Sequence, residues 1–156
     1  MSVLAAGGAQ TWLVHCDGSA MPNPGRMGLG AVIVAPDGTT HTLSQATGER
    51  GCNNEAELRA LMAALREARS RGATAVHACS DNSILVEQLG DAGARPVERL
   101  ATLFEEARAL LRSFDAVTLT WIPRHRNGEA DALARAALGF PPKRVVARTP
   151  KRRRAR

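Results

Sequence analysis

Residues 11–18, Thr-Trp-Leu-Val-His-Cys-Asp-Gly, place apolar side chains in both alternating phases of a strand. Trp12, Val14 and Cys16 fall on one face, and Leu13 falls on the other with His15 and Asp17. A strand that is apolar on both sides needs cover on both faces, so this one belongs in the middle of a sheet. It ends on a carboxylate, Asp17. Held at the end of a central strand, Asp17 is either a stiffly mounted reactive acid at the sheet edge or the acceptor of an Asx-type turn with Gly18 and Ser19.

The rest of the chain supplies partners for that strand. A turn-rich loop is expected over residues 18–25, then a second strand over 29–35, a Pro36-Asp37-Gly38 turn and a third strand over 39–46, together a meander. Asn53 and Asn54 suit a helix N-terminus. Leu58, Leu61, Met62, Leu65 and Ala68 follow at helical spacing, with Gly72 as the stop. Residues 75–80 form a short apolar run ahead of Asp81. A helix separates this fourth strand from the meander, so it is expected to run parallel to the first. A short helix over 83–89 precedes Gly90 and Gly93. A longer helix opening at Pro96 buries Leu100, Leu103, Phe104, Ala107 and Leu111. A fifth strand spans 116–122, and a last helix spans 127–138 with Ala130, Leu133, Ala134, Ala137 and Leu138 as its apolar stripe. The order βββαβααβα makes an α/β fold, a mixed sheet with helices packed on it.

Length and composition bound the possibilities. The 156 residues make one domain, and with 44% hydrophobic but only 3% aromatic residues its core is built from Ala, Leu and Val. No stretch approaches the ~20 apolar residues of a membrane span, and residues 1–10 lack the basic start of a signal peptide, so a soluble, cytoplasmic protein without membrane contact is expected. Cys16, Cys52 and Cys79 are too scattered for a zinc site or a disulfide framework. The net charge of +6 is unevenly placed. Residues 141–156 hold eight of the 21 basic residues and no acid, leaving 13 basic against 15 acidic residues, net −2, in the remainder. A flexible stretch at 1–9, a folded domain at 10–140 and a basic, disordered tail at 141–156 are therefore expected. The tail suits phosphate contact without sequence reading, or simple solvation.

Four acids stand at four element ends. Asp17 and Asp81 close neighbouring parallel strands. Glu57 lies in the first turn of the first long helix and Asp131 near the start of the last, each at the margin of an apolar stripe and so leaning toward the sheet. Singly, Glu57 and Asp131 also serve as helix-dipole partners. Gathered on one rim, four carboxylates would repel one another unless cations were present. An all-oxygen donor set favours Mg²⁺ or Mn²⁺ over zinc. Two such ions about 4 Å apart suit in-line phosphodiester displacement.

Asp17-Gly18-Ser19 with Asn23-Pro24-Gly25 and Gly28-x-Gly30, Asn53-Asn54-x-x-Glu57-Leu58, Ser80-Asp81-Asn82, and Arg124-His125-x-Asn127-x-x-Ala130-Asp131-x-Leu133-Ala134 strongly resemble type 1 ribonucleases H, over about residues 10–139. The resemblance implies a ribonuclease H-like fold, a five-stranded mixed sheet of order 3-2-1-4-5 flanked by helices. It also implies two Mg²⁺ ions, with Mn²⁺ as the other candidate, and cleavage of the RNA strand of RNA/DNA hybrids. By position, Asp17, Glu57, Asp81 and Asp131 are the implied metal ligands and catalytic acids. Gly18, Ser19, Asn23, Asn53 and Asn54 are the implied minor-groove contacts, where 2′-hydroxyls distinguish RNA from DNA. Asn53, Asn54, Asn127 and Ser83 suit either substrate contact or helix capping. His125 lies in a shorter loop than the one carrying the mobile histidine of many bacterial members, and suits proton transfer or, with Arg124 and Arg126, phosphate contact. His15 shares Asp17's phase but reads as a packed strand residue.

Two departures stand out. Cys52 occupies the place where many members carry threonine, and the segment 90–99 lacks the basic protrusion of some relatives, a loss the basic tail is placed to offset. A non-catalytic binder of the same fold, or a relative preferring double-stranded RNA, fits the same pattern less well, because clustered acids facing phosphates serve no pure binder. Nothing in the pattern requires more than a monomer.

Overall fold

The computed structural model describes residues 10–90 and 98–141. Residues 1–9, the segment holding Gly93 and Pro96, and the tail from residue 142 lie outside the described residues, and so do the expectations placed on them. The elements in order are β1 (Thr11–Met21), β2 (Gly25–Val34), β3 (Thr40–Gly51), α1 (Asn53–Ser70), β4 (Ala75–Ser80), α2 (Ser83–Gly90), α3 (Ala101–Arg112), β5 (Ala116–Trp121) and α4 (Gly128–Ala137). Short 3-10 turns at Glu98–Leu100 and Arg124–Arg126 precede α3 and α4. The five strands form one sheet in the order β3-β2-β1-β4-β5, the order that the resemblance implies.

β1 is the central strand. It pairs antiparallel with β2 from Leu13↔Val34 to Met21↔Arg26, and parallel with β4 only as far as Cys16↔Ser80. The expected loop at 18–25 is therefore mostly strand. Gly18 to Met21 continue the hairpin, and the turn is confined to Pro22, Asn23 and Pro24. Gly18 and Ser19 resemble turn residues, but here glycine serves close packing. A Cβ on Gly18 would lie 2.2 Å from the Ala56 carbonyl carbon and 2.4 Å from the Glu57 nitrogen, so its absence lets α1 rest directly on β1.

One face of the sheet carries the main core. Val14, Cys16, Ala31 and Ile33 pack against α1, where Ala56, Ala60, Ala64 and Ala68 form a ridge of small residues between Leu58, Leu61, Met62 and Leu65, all buried. Phe104 and Ala107 of α3 close that layer, while Leu103 and Leu111 pack at its margin. The other face receives α4 over β2. Cβ atoms on Gly28 and Gly30 would stand 2.3 Å from the Ala134 and Ala130 carbonyl oxygens. The helix backbone therefore sits on the strand itself, with Ala130 and Ala134 buried against it.

This contact generates a test. Gly30→Ala should push α4 away from β2 and destabilise the protein by about 1–3 kcal/mol in denaturant unfolding. Gly90→Ala, at the end of α2 with nothing among the described residues within 4 Å of the added Cβ, should stay within about 0.5 kcal/mol of the parent.

Candidate active site

Asp17 lies one residue past the end of the β1–β4 ladder, and Asp81 follows the last residue of β4. Where the parallel pairing stops, a notch opens between the two strands. Glu57 reaches it from the first turns of α1 because Gly18 admits the helix. One ligand atom from each of Asp17, Glu57 and Asp81 lies within 4.8 Å of the others. Asp131, in the first turn of α4, stands outside this trio but hydrogen-bonds Asp17 and lines the same cleft. The cleft measures about 780 Å³, and Gly18, Ser19, Asn53, Arg124 and His125 are among the residues lining it with the four acids.

Electrostatics follow from the crowding. Asp17 is 7% exposed, and burial, then the charges of Asp81 and Glu57, push its carboxyl up to about 10. Burial raises Glu57 as well, while hydrogen bonds with Asn82 and Asp17 and the charge of Arg124 hold it down. Among the described residues, the buried Glu57 Oε2 has no hydrogen-bond partner. An orphaned carboxylate oxygen facing two further acids is a poor arrangement for a protein alone and a good one for a hard divalent cation, which these oxygen donors suit. The trio can thus hold a metal ion.

The remaining expected residues divide. Gly18, Ser19 and Asn53 line the cleft, and exposed His125 stands on the Arg124–Arg126 turn at its wall. Asn23, Asn54, Ser83 and Asn127 do not line it. Asn23 Oδ1 accepts from the Asn53 nitrogen at 3.0 Å, and Asn53 Oδ1 accepts from the Ala20 nitrogen at 3.2 Å, tying the hairpin tip to α1. The α1 cap is Cys52, whose Sγ accepts from the Glu55 nitrogen at 3.4 Å, so neither asparagine caps that helix. Nor does Ser83 cap α2, since Asn82 Oδ1 accepts from the Leu85 nitrogen at 3.1 Å. Asn82 also donates to Asn54 Oδ1 at 2.9 Å. The linking role of Asn82 escaped sequence reasoning; an Asn just before a helix start is the signal that marks it. His15 is partly buried on β1 beside Arg126, Asn127 and Glu129, and burial lowers its pKa.

Comparison with known proteins gives a consistent set. Residues 15–137 match the family model described as reverse transcriptase-like. A bifunctional protein of Mycobacterium tuberculosis is 37% identical over 128 residues, 81% of this chain and 35% of that protein. The crystal structure of RNase H1 from the archaeon Halobacterium salinarum superposes with a TM-score of 0.77 at 35% identity, covering 83% of this chain and 98% of that one. A crystal structure of LC11-RNase H1 in complex with RNA/DNA hybrid matches with a TM-score of 0.71 at 28% identity, covering 82% and 96%. The chain thus spans about a third of the length of the mycobacterial relative. Among the described residues, no helix is long and apolar enough to cross a membrane.

Protonation of Asp17 has a measurable consequence. Its carboxyl titrates at about 10 when folded against 3.8 as the ordinary value, so the folded state binds this proton more tightly. Stability of the metal-free protein should then be greatest near the lower value and fall as pH rises toward the upper one. Thermal midpoints in chelator should decline through that window, Asp17→Asn should flatten the decline, and added Mg²⁺ should offset it. A flat profile for the parent in chelator would contradict the protonated Asp17.

Proposed function

The chain belongs to the type 1 ribonuclease H family, and from that membership we propose that it is a divalent-metal-dependent endonuclease cleaving the RNA strand of RNA/DNA hybrids, with 5′-phosphate and 3′-hydroxyl products. The observation that carries this reading is the convergence of Asp17, Glu57 and Asp81 within 4.8 Å, with Asp131 on the same cleft. Asp17, Glu57, Asp81 and Asp131 would hold two ions, Mg²⁺ or Mn²⁺. When bound, such ions supply a water of lowered pKa and charge stabilisation at the phosphodiester.

The chain's own groups do the rest. Asp17, Glu57, Asp81 and Asp131 bring fixed negative charge to the notch. Gly18 and Ser19 present backbone along the hybrid's minor groove, and Asn53 lies beside them; Asn23 and Asn54 act there chiefly by holding that edge in place. His125, on an exposed turn beside Arg124, is suited to carry a proton to or from the cleft. Ser83 at the exposed start of α2 is a lesser candidate for phosphate contact. Residues 10–140 constitute the catalytic domain, and residues 141–156 form a basic arm that grips phosphates. One chain supplies all four acids, so a monomer suffices. The three cysteines are free thiols, in keeping with a reducing cytoplasm.

Asp17→Asn should lower kcat on a labelled RNA/DNA hybrid by more than about 100-fold while hybrid binding is retained. Binding without cleavage in the parent as well would instead favour a nucleic-acid-binding protein, and faster cleavage of RNA/RNA a double-stranded RNA enzyme. Truncation after Pro142 removes eight positive charges. It should raise KM several-fold at moderate salt with kcat unchanged, the gap narrowing as salt increases. Equal KM values for the two forms would exclude a role for the arm.

A further inference from the structure

Asn127 is a polar side chain only 2% exposed that neither lines the cleft nor caps a helix. It stands at the N-terminal boundary of α4 without a side-chain capping bond. Its amide is used elsewhere. Nδ2 donates to the Cys16 carbonyl oxygen at 2.9 Å and to Asp81 Oδ2 at 2.9 Å. Both neighbours are acceptors only, which fixes the orientation of the amide and uses both of its protons. The Asn127 backbone carbonyl accepts from the Asp131 nitrogen at 3.1 Å, the first bond of α4. Cys16 immediately precedes Asp17 and is the last β1 residue to pair with β4.

A single buried residue thus joins the strand end carrying Asp17, the carboxylate of Asp81 and the helical turn carrying Asp131. We propose that Asn127 is a positioning residue of the metal centre, setting the orientation of Asp81 and the spacing of β1, β4 and α4 around it, and that it makes no contact with the nucleic acid. An apolar residue would fill the space at lower cost, since the buried Asn127 Oδ1 has no hydrogen-bond partner among the described residues. A buried amide with one unsatisfied oxygen makes sense where orientation of its two donors matters more than stability. Asp81 must present its free oxygen while lying against two other acids, and a carboxylate anchored through one oxygen cannot swing away from them.

The inference rests on the proposed function for its kinetic arm alone. Asn127→Ala and Asn127→Ser in the full chain should lower kcat on hybrid about 10–100-fold with KM within about twofold of the parent, and calorimetry without substrate should show Mn²⁺ binding weakened by about tenfold or more. A raised KM with unchanged kcat would make Asn127 a substrate contact and overturn the proposal. A lowered thermal midpoint with parental kcat and Mn²⁺ affinity would make it scaffold only and overturn it equally. Should both variants fail to fold, the parent protein still decides. The Asn127 side-chain amide NMR signals should shift on Mg²⁺ addition, and signals that stay fixed at saturating Mg²⁺ would refute the link. Failure of the parent to cleave any hybrid would sink the proposed function, whereas the Mn²⁺ and NMR readouts need no cleavage.

Discussion

Three carboxylates held within 4.8 Å of one another, two of them nearly sealed from water, repel one another strongly, and the surrounding architecture is what prevents them from separating. Isolated acids at this spacing would turn outward or take up protons. Burial and the charges of Asp81 and Glu57 push the Asp17 carboxyl up to about 10, and Glu57 keeps an oxygen with no hydrogen-bond partner among the described residues. Local packing is thus strained in a direction that a divalent cation relieves. Functional sites commonly retain such unfavourable local arrangements where stable packing elsewhere offsets them.

That offset comes from unusually close backbone packing on both faces of the sheet. Gly18 lets α1 approach β1 until Glu57 reaches the notch, and Gly28 with Gly30 lets α4 lie on β2 until Asp131 overlooks it. The alanine ridge of α1 works in the same sense, because small side chains shorten the distance between helix and sheet. A core poor in aromatics is here a means of bringing acids on separate elements together. Hydrogen bonds then lock the ensemble: Asn53 to Ala20, Asn23 to Asn53, Asn54 to Asn82, and Asn127 to Cys16 and Asp81. The asparagines around the cleft form a frame as much as a binding surface.

Charge is divided along the same lines. The first 140 residues are slightly acidic, and four of the fifteen acids line one cleft, whereas the excess of basic residues lies in the final sixteen positions. Arg124 and Arg135 both line the cleft, and Arg124 lies near enough to Glu57 to favour its ionised form.

Much of this could be read from the residues in line. Apolar residues in both phases of β1 required a central strand, the stripe of α1 is buried as its spacing required, and the motif order led to the four acids and the sheet order. Other features could not be read in this way. Gly18 and Ser19 look like turn formers yet continue a strand, because the ladder with Arg26–Leu29 and the contact with Ala56 outweigh local preference. Cys52 caps α1 ahead of two better capping residues, because both asparagines are engaged by other elements. Asn127 looks like a cap or a surface contact and proves to be a buried link across 111 residues to Cys16. Local chemistry and periodicity are written into neighbouring positions, so they settle which elements form and which residues carry charge. The distances between those charges depend on how closely separate backbones can approach, and that was settled only when helices and strands packed against one another.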